Sequence, residues 1–232
     1  YFLAASYNEQ KSVFANTRAQ SSLPVPGTGL AFGSSAIPAG RFIITDPNTG
    51  FTMDLVPNAG VTSPSYDPAL GDSCNRTDDF HCFTTDDRFN YASYNLLQTP
   101  NKRISLYAQQ RYEFTQDTNW YLRALYNQRN SVNQAAPEPM FIGTAVPSNF
   151  WLDNLTIAAD NPYNPFGFDL VAAGADPVLA LAGRRPVEGG ARRFEQNVDT
   201  FYIGTGIEGQ FELSNQLFYW DINAAYSTNR AK

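Results

Sequence analysis

The residues able to do chemistry fall in two places. Cys74 and Cys82, the only cysteines, have seven residues between them, and His81, the only histidine, adjoins Cys82. A zinc site needs further Cys, His or carboxylate ligands at set spacings, and no third cysteine or second histidine exists to supply them. The pair suits a disulfide closing a small loop, which implies an oxidising compartment; two free loop thiols are the alternative. Asp78, Asp79, Asp86 and Asp87 surround Cys82. Four carboxylates could bind calcium through oxygen, but their spacing matches no EF-hand loop, and a solvated acidic loop accounts for them equally simply. The second group is Arg103, Tyr107, Arg111, Tyr121 and Arg123, all within one stretch. Such a row could contact a polar substrate, or could simply be solvated. Glu138, Asp153 and Asp160 cannot be placed as a glycosidase pair. Asn75-Arg76-Thr77 and Asn154-Leu155-Thr156 fit the glycosylation acceptor pattern only. No nucleophile motif, phosphate-binding loop or dinucleotide fingerprint appears, so neither enzymatic activity nor a cofactor is expected.

The stretch that must position the arginines, Arg103 to Arg129, reads as two strands joined by a polar turn at about Thr115–Thr118. Successive side chains of a strand point to opposite faces. Ile104, Leu106, Ala108, Tyr112 and Phe114 share one parity, while Arg103, Ser105, Tyr107, Gln109, Arg111 and Glu113 share the other. After the turn, Trp120, Leu122, Ala124 and Tyr126 alternate with Tyr121, Arg123, Leu125 and Asn127; Gln110 interrupts the apolar row and Leu125 the polar one. A half-buried soluble sheet and a membrane barrel both alternate in this way. The unit recurs, however. Phe201, Ile203, Thr205, Ile207 and Phe211 alternate with Tyr202, Gly204, Gly206, Glu208 and Gln210; after a turn near Ser214-Asn215, Trp220, Ile222, Ala224 and Tyr226 alternate with Tyr219, Asp221, Asn223 and Ala225. Aromatics crowd both short turns, as they do at the interfacial girdles of outer-membrane barrels. The recurrence favours the barrel.

A further strand is expected over Tyr1–Phe14, where Leu3, Ala5 and Tyr7 alternate with Ala4, Ser6 and Asn8. The chain starts within it, which suggests a segment of something longer. Residues 17–98 and 131–192 keep no long alternation and are rich in turn residues, so they read as long loops. Within them, Arg41–Ile44 and Gly50–Val56 could pair across Pro47-Asn48-Thr49, and a weak helix is predicted at Pro177–Ala182. The whole, 1–232, is then about five antiparallel up-and-down strands of a large transmembrane β-barrel, with short periplasmic turns on one side and long extracellular loops on the other. Only 16% of the 232 residues are charged, 14% are aromatic, and the net charge is −6. With no basic patch, nucleic acid is not an expected partner.

Asp87-Arg88-Phe89-Asn90-Tyr91 leading to Asn95–Arg103 resembles a run in the barrels of TonB-dependent outer-membrane receptors, particularly the Oar-like type. So do Tyr126–Ser131 running to Ala136-Pro137-Glu138-Pro139, Asn161-Pro162-Tyr163-Asn164-Pro165-Phe166-Gly167, Val198-Asp199-Thr200, and Ser35–Phe42. The resemblance spans nearly the whole chain. It implies an energy-coupled importer of the Gram-negative outer membrane, with a barrel of about 22 strands around a plug. It also implies contact with outer-membrane lipid, with the plug and remaining strands, with the TonB complex through an N-terminal part, and with a transported substrate that these motifs do not identify. The plug, the coupling box and the closing strand are not in this sequence, so a mid-barrel fragment is expected. The polar row Arg103, Tyr107, Arg111, Tyr121 and Arg123 would line the lumen. The competing reading is a secreted or cell-surface β-rich module that binds a ligand or assembles through its open strand edges.

Overall fold

The computed structural model describes residues 1–24, 32–145, 155–174 and 177–232. The described residues are all-β, with antiparallel sheets and short 3-10 turns but no α-helix. In chain order the strands are β1 (Phe2–Gln10), β2 (Val13–Phe14), β3 (Arg41–Thr45), β4 (Thr52–Pro57), β5 (Phe80–Cys82), β6 (Leu96–Gln98), β7 (Asn101–Thr115), β8 (Thr118–Ala135), β9 (Met140–Ile142), β10 (Thr156–Ile157), β11 (Leu170–Val171), β12 (Leu179–Arg184), β13 (Arg192–Leu213) and β14 (Gln216–Ala231). They belong to two units. The first comprises Tyr1–Val13, Leu96–Gln134 and Arg193–Lys232; the second comprises Phe14–Asn95 and Ala135–Arg192.

The first unit is a single open sheet of order β1-β7-β8-β13-β14. Its hairpins close where the alternation predicts. Leu213 pairs with Gln216, and the two residues between them, Ser214 and Asn215, have φ of 53° and 61°. Two consecutive left-handed residues make the turn whose twist matches paired strands. Thr115 pairs with Thr118 across Gln116 and Asp117, after a register shift between Glu113 and Thr115. The two short turns lie at the same end of the sheet, since Gln210 donates its backbone N–H to Asp117 O at 3.0 Å and its side-chain amide to Asp117 Oδ1 at 2.8 Å. β1 and β14 each pair on one side only, and no closed barrel is formed by the described residues.

Pairing fixes which side chains share a face. Tyr7 lies opposite Ile104, Leu106 opposite Tyr126, Ile203 opposite Tyr226, and Ile207 opposite Ile222. One face is therefore apolar and the other polar. Within the apolar face the aromatics form two rows. Tyr112, Phe114, Trp120, Phe211, Phe218 and Trp220 stand near the turns, and Tyr7, Tyr126, Phe201 and Tyr226 cross the sheet nearer its other end. Between the rows are Leu3, Ala5, Leu106, Ala108, Leu122, Ala124, Ile203, Thr205, Ile207, Ile222 and Ala224, with no charge among them. This face is uncovered: Leu3 and Ile222 are each 73% exposed.

The second unit corrects the expectation of two long loops without regular structure. Segments 14–95 and 135–192 together hold a five-stranded antiparallel sheet of order β5-β4-β3-β12-β9. β3 and β4 pair as expected, with Phe42 opposite Leu55. Asp46, fully buried, holds their turn by accepting from the Asn48 N–H at 2.8 Å and from the Tyr66 hydroxyl at 3.0 Å. The predicted helix at Pro177–Ala182 is instead β12, whose Leu179 and Leu181 are buried. Leu and Ala are good helix formers, but intrinsic propensity is a small bias, and pairing with β3 and β9 overrides it. The core contains Ile44, Met53, Leu55, Tyr66, Phe80, Phe166, Leu170 and Leu179. Phe166 stacks on Phe80 at 5.4 Å and meets the Phe42 ring edge-on at 5.2 Å.

Candidate functional site

The polar face of the first unit carries the candidate site. Arg111, Tyr121 and Arg123 come together there, because Arg111 lies directly opposite Tyr121 and the Arg123 guanidinium sits 5.5 Å from the Tyr121 ring centre. β13 and β14 add the acids. Glu208 is directly opposite Asp221. Like charges so placed repel, and each is compensated from β8 or β7. Arg111 Nη2 is 2.7 Å from Glu208 Oε1. The Tyr121 hydroxyl donates to Asp221 Oδ2 at 3.0 Å, and Asn223 donates to Asp221 Oδ1 at 2.6 Å. Asp117, Glu208, Gln210, Tyr219 and Asp221 with Arg111 line a cleft of about 510 Å³ at the turn end. Three carboxylates against one arginine make it a net acidic hollow.

Arg103 and Tyr107 share this face but not this cluster. Arg103 Nε donates to Asn127 Oδ1 at 2.6 Å, and the Tyr107 hydroxyl donates to Gln109 Oε1 at 2.9 Å beside the Phe2 ring. The cross-strand acids are what sequence reasoning missed. Glu208 and Asp221 were legible as polar-face residues, but their meeting with Arg111 and Tyr121 depends on the pairing of β8 with β13, strands far apart in the chain.

Glycines let the tyrosines lie across the sheet. An added Cβ on Gly206 would stand 2.5 Å from the Tyr121 hydroxyl and 2.9 Å from Ile222 O. Gly206→Ala should therefore push Tyr121 off Asp221 and cost about 1–3 kcal/mol, as overpacking does. Tyr121→Phe, which removes only the hydroxyl and its bond to Asp221, should destabilise the sheet less than Gly206→Ala. Urea unfolding of the two variants, singly and combined, checks this: the combined loss should be well below the sum, because both act through one contact.

The residues around the cysteines prove to be framework. Cys74 and Cys82 are bonded, with sulfurs 1.91 Å and Cα atoms 5.1 Å apart. The loop they close carries Arg76 and Phe80 into the core of the second unit. Arg76, with no side-chain exposure, meets Asp78 in a two-pronged ion pair with its closest contact at 2.6 Å, donates to Asp67 O and Gly71 O, and lies 4.7 Å from the Tyr66 ring centre. Burial raises the Asp78 carboxyl, but the Arg76 hydrogen bonds and the backbone N–H groups of Asp67 and Phe80 outweigh it and hold the group below the usual carboxylate range. Burial likewise raises the Tyr66 phenol, and its hydrogen bond to Asp46 pushes the same way. Asp79 accepts from the Ser65 N–H at 2.9 Å. Asp87 takes His81 Nε2 at 3.0 Å and the Thr84 N–H at 2.6 Å, while His81 Nδ1 faces Asn58 Oδ1 at 2.8 Å. Asp86 is exposed. The calcium candidates thus do not converge, and no group of three His, Cys, Asp or Glu able to hold a metal occurs among the described residues. Glu138 pairs with Arg192; Asp153 and Asn154 lie outside the described residues.

The Asn161–Gly167 motif is also framework. Asn164 donates to Ala158 O and Phe168 O, accepts from the Phe166 N–H, and so aims Phe166 into the core, leaving Tyr163 93% exposed at the tip. Comparison of the chain with protein families, curated proteins and solved structures finds no match.

Proposed function

We propose that the first unit is a section of the wall of a large outer-membrane β-barrel of the TonB-dependent receptor class, and that the protein takes up a substrate through it. One observation carries this reading: a one-layer antiparallel sheet whose charge-free apolar face, bounded by two aromatic rows, and whose charged polar face are both uncovered. A soluble sheet buries its apolar face against a second layer. A barrel wall gives it to hydrocarbon and sends charge to the lumen. The dimensions agree. Phe218 to Tyr226 is eight residues, about 27 Å of strand; at a tilt of 35–45° that is roughly 20 Å of height, near the ~25 Å apolar band between girdles. On this reading the Arg111–Glu208 cluster faces the lumen, and segments 14–95 and 135–192 recognise the substrate.

Bromine-labelled lipids test the assignment. Trp120 and Trp220 both lie in the aromatic row beside the turns. In a Trp151→Phe chain reconstituted in liposomes, their fluorescence should be quenched, and more by bromine near the headgroup than near the acyl ends. No quenching at either depth would overturn the proposal. The unpaired outer edges of β1 and β14 favour a second reading, assembly of copies edge to edge; that reading requires defined oligomers in buffer without detergent.

A further inference from the structure

Above the aromatic row of Tyr7, Tyr126, Phe201 and Tyr226 the apolar face ends in a cleft of about 780 Å³, whose charged lining residues are Glu9, Lys11, Lys102, Glu195 and Lys232, with Asn197 among the others. It is continuous with the row below. The Tyr7 hydroxyl donates to Glu9 Oε2 at 2.8 Å, and Glu9 Oε1 lies 3.5 Å from Lys102 Nζ. Glu9 pairs with Lys102 two residues beyond the Tyr7–Ile104 pair, about 7 Å further along the strand. In a bilayer that is the depth of the headgroup layer, which adds roughly 5–8 Å to each side of the hydrocarbon.

Two features define the ligand. Lys11 and Lys232 line the cleft and enter no ion pair among the described residues, so two cationic groups are open to an anion. Asn101 Oδ1 and Asn197 Oδ1, in the same cleft, are the buried side-chain polar atoms that lack a hydrogen-bond partner among the described residues. An amide oxygen only accepts, and a buried acceptor left unpaired is costly. It needs a hydroxyl or N–H donor, which the phosphodiester anion of a lipid headgroup does not itself offer. Cations and orphaned acceptors together describe a group bearing both phosphate and hydroxyls.

We infer that this cleft binds the headgroup of a phosphorylated, hydroxyl-bearing membrane lipid. Lys11 and Lys232 take the phosphate, and Asn197 accepts from a hydroxyl. The inference rests on the membrane-wall reading and extends it from hydrocarbon contact to headgroup selection.

Phosphatidylglycerol, with one phosphate and two free hydroxyls, is a suitable probe against phosphatidylcholine. The detergent-purified chain, equilibrated with an equal mixture and then stripped of free lipid, should retain phosphatidylglycerol over phosphatidylcholine by roughly twenty-five-fold, at about fivefold for each of the two lysines. Lys11→Gln with Lys232→Gln should bring retention near parity, and Asn197→Leu should lower it about fivefold, with heat-modifiable mobility showing each variant folded. Roughly a tenfold molar excess of inorganic phosphate over lipid should leave the lipid bound. Displacement by phosphate would make this a free-anion site and overturn the lipid assignment. Equal retention of both lipids by the unsubstituted chain would overturn the inference while leaving the membrane wall standing. Retention of neither would overturn the reading beneath it.

Discussion

Asp78→Ala should destabilise the second unit by about 3–5 kcal/mol, the loss expected when one partner of a buried ion pair is removed and the other stays behind. Arg76 would remain, fully buried, with the Asp67 and Gly71 carbonyls, the Met53 sulfur and the Tyr66 ring to satisfy it. The backbone N–H groups of Asp67 and Phe80 would also lose their acceptor. Asp78→Asn keeps one oxygen, and so an acceptor for one of those two N–H groups, and should lose less. Hydrogen exchange on peptides covering 41–57 and 170–184, whose strands form the core, reads the effect; unchanged protection in Asp78→Ala would show that the pair is not part of the folding unit. The pH dependence has a definite sign. Asp78 and Asp87 both have folded-state values held below the unfolded carboxylate, about 3.9. Their contribution is present above about pH 4 and is lost as pH falls through the lower folded value. The Tyr66 phenol is raised, so its contribution is present below about pH 10 and is lost as pH rises through the folded value. Core protection should therefore be flat between these limits and fall on both sides.

The two units differ sharply in how far the sequence discloses them. In the first, period-two alternation runs through strands of up to 22 residues, and β7 with β8 and β13 with β14 are direct hairpins, so faces and turns can be read from a few positions such as Ile203, Ile207 and Ile222. In the second, the strands are two to six residues long, too short for alternation to stand above chance. Their partners are also remote: Phe42 pairs with Ala182. The β3–β4 hairpin could be read because Asp46 to Gly50 is turn chemistry in itself. Phe80, Phe166 and Leu170 could not be read as one core, since nothing local links them. The same limit applies to the sites. The Asp78–Asp87 cluster looked like possible ligands because sequence shows proximity along the chain; it does not show that Arg76 turns inward to meet Asp78, or that Asp87 closes a loop on Thr84 and His81. Arg185 was invisible for the same reason. Its buried guanidinium is held by Ser34, Ala36 and Pro137, all distant in sequence.

Ile222→Arg and Asn223→Arg, neighbours on one strand, should differ by about 2–4 kcal/mol if the apolar face meets lipid. Ile222 lies opposite Ile207 and four residues from both Phe218 and Tyr226, so it stands midway between the aromatic rows. An arginine there, on a lipid-facing strand, meets hydrocarbon at the midplane, where the penalty is about 2–4 kcal/mol. Its guanidinium can escape only by reaching past four residues of strand in either direction. Asn223 points the other way, opposite Gly206 and beside Asp221. An arginine at 223 stays on the polar face with the Asp221 carboxylate already in reach, and it should be tolerated. The contrast depends on register alone, because a slip of one residue would exchange the two faces. Heat-modifiable folding into liposomes measures it. Folding lost in Ile222→Arg and kept in Asn223→Arg is the expected outcome. In a soluble module Ile222, already 73% exposed, would accept arginine freely, because an exposed substitution away from any contact stays within about 0.5 kcal/mol. Equal tolerance at the two positions would therefore move the sheet out of the membrane, and with it the headgroup cleft above the tyrosine row.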